Sequence, residues 1–126
     1  MLNYIFLRTG KCHSKIYFSD VLYVQAQKKL VQIITPSKLY VIFDTFKEVE
    51  QKLPPPVFCK VHRSYLISLD HTDKFDNEFA YIGKLRVPIS ERYRTILKQS
   101  ISILNCQEKS FKLDTDVDKL LQNISL

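Results

Sequence analysis

Glycine is nearly missing from this chain: two residues among 126, Gly10 and Gly83. Neither belongs to a run that could wrap a nucleotide phosphate, so a P-loop or dinucleotide-binding turn is excluded as the basis of function. Cysteine is scarce too. Cys12, Cys59 and Cys106 are odd in number and far apart, in a chain long enough to hold a core without staples, which points to a reducing cytoplasm rather than a disulfide framework. Long apolar runs are lacking. The longest, Leu39 to Phe43, has five residues, against roughly 20 for a membrane helix and about 7–15 for the apolar region of a signal peptide. Neither a membrane partner nor an export signal is expected.

Apolar and basic residues are what the chain has in quantity. Hydrophobic residues make up 45% and aromatics 12%, with eight Phe and seven Tyr, too much apolar surface for a disordered chain and the length of a single domain. Nineteen Lys and Arg stand against 13 Asp and Glu, a net charge of +6. Residues 1–104 carry 16 basic and 9 acidic residues and residues 105–126 carry 3 and 4, so the excess sits in the body of the chain. A basic balance favours an anionic partner.

Short β-rich pieces separated by turn residues fill the first 89 positions. Candidate strands are Tyr4–Arg8, Ser14–Phe18, Val21–Ala26, Leu30–Thr35 and Leu39–Phe43, read as meandering antiparallel strands. Thr45 and Glu48 have capping-box spacing, and Phe46, Val49 and Leu53 fall on one helical face, so a helix of about two turns follows. The proline triplet Pro54-Pro55-Pro56 stops it. From Val57 to Leu69 apolar residues return at every second position, broken by Arg63, and Phe79–Ile82 with Leu85–Ile89 flank Gly83-Lys84 as a further hairpin. Ser90 is the expected cap of a helix running toward Leu104, with Tyr93, Ile96, Leu97 and Ile101 at helical spacing. In the tail, Asp114 to Asp116 precede Val117, Leu120, Leu121 and Ile124, the pattern of a short amphipathic helix. The chain thus reads as a domain over 1–104 and a tail over 105–126.

Sites of chemistry are poorly represented. Cys12-His13, and Cys59 with His62, point to opposite faces of a strand, which disfavours a metal centre. Ser64 lacks the strained turn and oxyanion hole of a hydrolase, and Asp70, Asp73, Asp76 and Glu78 lack the alternating ligands and central glycine of a calcium loop. No cofactor and no catalysis are expected. Basic clusters are better represented: Lys28-Lys29, Lys60 to Arg63, and Arg92 to Arg94 stand at expected turns or element ends. The Lys60-Val61-His62-Arg63-Ser64-Tyr65 segment adds an imidazole, a hydroxyl and a phenol to two cations, a mixture able to contact phosphates and base edges.

Val21-Leu22-Tyr23-Val24-Gln25-Ala26, then Leu30-Val31-Gln32-Ile33, then Phe46 to Pro54 resemble the first half of the LytTR family of bacterial DNA-binding domains, and Phe58-Cys59-Lys60-Val61-His62-Arg63-Ser64-Tyr65-Leu66-Ile67-Ser68-Leu69-Asp70-His71 is similar to its most characteristic block. Tyr81-Ile82-Gly83 and Val87-Pro88-Ile89-Ser90 followed by Tyr93-Arg94 are similar to its closing block, so the resemblance covers about residues 3 to 104. It implies a mainly β domain of extended antiparallel strands with short helices, which binds promoter DNA through loops entering major grooves, often as the output domain of a response regulator in a two-component system. It also implies double-stranded promoter DNA with repeated half-sites as partner, with room for a homodimer on DNA. By position, the residues expected at DNA are Lys28, Lys29, Lys60, His62, Arg63, Ser64, Glu91, Arg92 and Arg94. Two departures stand out: Gln27-Lys28-Lys29-Leu30 replaces the common Glu-Gly-Asn-Tyr, and Glu91 stands where an arginine is common. Rival readings are a DNA-silent LytTR-like antagonist of a partner regulator, favoured by Glu91, and a single-stranded RNA binder using exposed aromatics such as Tyr23 or Phe79.

Overall fold

The computed structural model describes residues 2–112, and the amphipathic helix expected over Val117 to Ile124 lies outside the described residues. In chain order the elements are β1 (Tyr4–Thr9), β2 (Cys12–Tyr17), a 3-10 turn (Phe18–Asp20), β3 (Tyr23–Gln27), β4 (Leu30–Ile34), β5 (Leu39–Ile42), α1 (Phe46–Lys52), β6 (Phe58–His62), β7 (Tyr65–Ser68), β8 (Lys74–Phe75), β9 (Phe79–Ile82), β10 (Leu85–Pro88) and α2 (Glu91–Gln99). Every strand pair is antiparallel. The mainly β expectation holds.

A five-stranded sheet in the order β5-β4-β3-β7-β6 forms the centre; one face is covered across the sheet and the other chiefly over β7 and β6. Strand side chains alternate between faces, and the buried residues sort accordingly. Val24, Val31, Ile33, Phe58 and Leu66 lie on the face covered by the β1–β2 hairpin, through Ile5, Leu7 and Ile16, and by α1, through Val49 and Leu53. Cys59, Val61 and Ile67 lie on the other, under Ala80, Ile82, Val87 and Ile89 of the β8–β10 layer and Leu97 of α2. Eighteen apolar residues are buried in these two clusters, and each large aliphatic contributes roughly 1.5–3 kcal/mol relative to exposure.

The meander is only partial. β1 and β2 form their own sheet, and the central strand β3 pairs on one side with β4 and on the other with β7, some forty residues later (Tyr23 with Ile67, Gln25 with Tyr65). Val57–Leu69 is also two strands, not one, reversing at Arg63-Ser64. Its alternation survives the reversal for a geometric reason. A two-residue turn shifts the parity of the inward-facing positions by one, and the bulge at Val61, where the register moves between Lys60 and His62, shifts it back. Odd positions therefore face the same cluster on both strands: Cys59, Val61, Tyr65 and Ile67.

Thr45 caps α1 as expected, its hydroxyl accepting the Glu48 N–H at 3.2 Å, and the helix ends at Lys52 before the prolines. At α2 the expectation is corrected twice. Ser90 occupies the cap position with extended backbone, but its hydroxyl makes no cap bond. The helix stops at Gln99, short of Leu104, because the Ser100 N–H is shared between the Ile96 and Leu97 carbonyls and its hydroxyl donates to Ile96 O at 2.7 Å, which tightens and closes the last turn.

Candidate nucleic-acid interface

Three basic segments separated in sequence meet at one end of the central sheet, and the backbone pairing shows how. β3 ends at Gln27 and turns back through Lys28-Lys29. Because β7 runs antiparallel to β3, its first residue, Tyr65, lies opposite Gln25, which sets the Arg63-Ser64 turn beside the Lys28-Lys29 turn. The Ala26 N–H donates to Ser64 O at 2.8 Å and locks the two tips together. The bulge turns the Val61 carbonyl toward α2, where it accepts the Ser90 N–H at 2.9 Å and fixes the start of the helix to the same rim. Gly83-Lys84 closes the β9–β10 hairpin at the other end of those strands, away from the Phe79–Pro88 pair that leads into α2.

Each side chain has a distinct setting. Lys28 and Lys29 are exposed, and Lys28 takes a positive φ of 53°, a left-handed conformation that glycine or asparagine adopts more readily. The Gln27-Lys28-Lys29-Leu30 turn therefore places a lysine in the left-handed region and carries two exposed cations at its apex. Arg63 is exposed at the second tip. Behind it, His62 Nδ1 accepts the Ser64 N–H at 3.1 Å, so the neutral ring carries its proton on Nε2, and the ring lies edge-on to Tyr65 at 5.4 Å. Burial, and secondarily the Arg63 guanidinium, hold the His62 imidazole below its ordinary value. Ser64 contributes through its backbone, donating to His62 and accepting from Ala26.

At the helix start Glu91 and Arg92 are exposed, with the Arg92 guanidinium 5.5 Å over the Tyr93 ring. Arg94 is half-buried, and its buried Nε has no hydrogen-bond partner. Lys60 behaves differently from the other cations. Its ammonium pairs with Glu50 at 3.7 Å and lies over the rings of Phe46 and Tyr93, at 5.3 and 5.4 Å. Sequence spacing offered one hint of this: Phe46 and Glu50 are four apart on one face of α1.

The acidic loop builds structure. Asp76 accepts the N–H groups of Glu78 and Phe79 at 2.8 Å and the Tyr81 hydroxyl at 2.9 Å, contacts that hold its carboxyl below the usual range, and Asp73 accepts the Gly83 N–H. Neither ring proposed for RNA stacking is an open platform. Tyr23 packs against the second core cluster beside Tyr65, and Phe79 is covered by the Arg86 guanidinium at 4.5 Å. Among the described residues no helix is long and apolar enough to cross a membrane, and Cys12, Cys59 and Cys106 are free thiols.

Comparison with known proteins gives a consistent result. The family described as LytTr DNA-binding domain matches residues 12–102. The sensory transduction protein LytT of Bacillus anthracis is 31% identical over 94 residues, covering 70% of this chain and 38% of that protein. LytR of Staphylococcus epidermidis is 24% identical over 92 residues, covering 68% and 36%. The chain thus spans less than two fifths of these relatives. Among solved structures, a LytTr DNA-binding domain of Bacillus cereus superposes with a TM-score of 0.69 at 21% identity, covering 79% of this chain and 97% of that one, a likeness of fold.

Proposed function

Since this chain belongs to the LytTR family of DNA-binding domains, we propose that it binds promoter duplex in a sequence-specific way, as a bacterial transcriptional regulator or the output domain of one. The observation that supports this most is the gathering of Lys28, Lys29, Arg63, Arg92 and Arg94 on one rim by the Ala26–Ser64 and Val61–Ser90 backbone bonds. Two hairpin tips beside a helix start suit groove entry. Exposed cations hold phosphates, and Arg63, braced by His62 and Ser64, reads a base edge. Glu91 opposes phosphate unless it accepts from a cytosine amino group. Binding to repeated half-sites, with two copies side by side, and a cytoplasmic setting belong to the same reading.

Selection of bound duplexes from a genomic library with the purified chain tests it. A short repeated motif is expected, and featureless enrichment overturns the reading. A second reading, a DNA-silent antagonist of a partner regulator, is favoured by one observation, the exposed Glu91 carboxylate in the first turn of α2. It predicts no retention of duplex at all. An excess of single-stranded RNA of the selected sequence should not compete.

A further inference from the structure

We propose that Lys60 is a positioning residue for DNA recognition: bracketed by Phe46 and Glu50 of α1 and Tyr93 of α2, it sets the placement of the α2 start instead of contacting phosphate. The inference rests on the duplex-binding reading. β6 is an edge strand, and α1 and α2 pack on opposite faces of the sheet it borders. Lys60 shares the α1-covered face with Phe58 and Leu66, yet its ammonium lies over rings from both helices and pairs with a carboxylate. A lysine held this way has its charge directed inward: the carboxylate neutralises it, and the two ring faces stabilise it where water is partly excluded, the side chain being 26% exposed. The Arg92 guanidinium lies 5.5 Å over the same Tyr93 ring, so holding that ring bears directly on the placement of Arg92. The hydrogen bond from Ser90 and the buried Leu97 anchor α2 to the sheet, and the Lys60 bracket at Tyr93, between them in sequence, adds the tie to α1.

The test compares wild type with Lys60→Met, Lys60→Arg and Glu50→Gln at a temperature where each is folded by circular dichroism. The probes are a duplex recovered by selection with the wild-type chain and a scrambled duplex of equal length, titrated over a range of salt. Lys60→Met should bind the selected duplex about tenfold more weakly and discriminate less, with the salt slope within about 0.3 of wild type, and Lys60→Arg, which can stack between the same rings, should restore most of the loss. A slope flatter by roughly 0.9 would make Lys60 a phosphate contact and overturn the proposal. So would unchanged affinity and discrimination in folded Lys60→Met, which leaves a role in stability alone. Glu50→Gln gives the rival readings opposite signs even if Lys60→Met does not fold. It loosens the bracket, so binding of the selected duplex should weaken about two- to threefold; a lysine freed toward phosphate would tighten it. Failure of the wild type to prefer any duplex would overturn the function itself, a result distinct from all of these.

Discussion

Lys28 carries opposite effects on folding and on binding. A left-handed conformation costs a non-glycine residue roughly 1–2 kcal/mol, and part of that returns as unfolded-state entropy when glycine is introduced. Lys28→Gly should therefore raise stability by about 0.5–1 kcal/mol in a denaturant melt while flattening the salt dependence of duplex binding by about 0.9. A stabilised variant with an unchanged slope would remove Lys28 from the interface. At the neighbouring tip, Arg63→Ala should lose roughly 1–3 kcal/mol of binding and relax preference at one position if the guanidinium reads a base, and weaken all duplexes evenly if it holds phosphate. His62 acts behind it. Its folded ring binds protons less readily than the free imidazole at 6.5, so its contribution to stability is fully present above that value and is lost as pH falls through the lower folded-state value. His62→Ala should thus flatten the decline in stability on acidification through roughly pH 6.5 and below. A melting profile parallel to wild type's would show that the Ser64-to-His62 hydrogen bond does not report on protonation.

The two helices are capped by different means, although a hydroxyl residue stands at the cap position of each. Thr45→Ala removes a bonded cap and should cost about 1 kcal/mol. Ser90→Ala removes a hydroxyl with no cap bond and should cost well under half of that, since the backbone N–H to Val61 O remains. Equal losses by thermal melt would contradict the geometry. Glu91→Arg gives up roughly 0.3–1 kcal/mol of favourable interaction with the helix start and should bind duplex more tightly with a steeper salt slope. Legibility in the sequence follows the same division. Elements with strong period or hard punctuation were readable: β4, β5, β9, and α1 between Thr45 and the prolines. The reversal at Arg63-Ser64 was not, because the Val61 bulge preserves the odd-position alternation that a turn alone would break. β8, two residues long, has no period at all. The basic clusters were visible as charge, but the inward turn of Lys60 was not, since it depends on Tyr93, thirty-three residues away, meeting α1 at a sheet edge.

At the scale of the molecule, five cations on one rim, Lys28, Lys29, Arg63, Arg92 and Arg94, set a ceiling of about −4.5 on the slope of log affinity against log salt for one copy, at roughly 0.9 per phosphate. Under the proposed binding of two copies side by side on repeated half-sites, the slope should approach twice that. The rim also has a history within each molecule's folding. Its three parts come from positions near 28, 63 and 91, and they meet only after β3, with one edge satisfied by its neighbour β4, captures β7 across the length of α1 and the proline stretch. Pairing of such sequence separation is slow, because loop closure precedes any reward from contacts. A ribosome making this protein thus releases the local hairpins first, each with a fragment of the charge, and the complete charged edge arises last. Under the proposed function, recognition is thus withheld until the long-range strand exchange is done, and a chain interrupted before residue 65 carries lysines at a hairpin tip without the assembled rim.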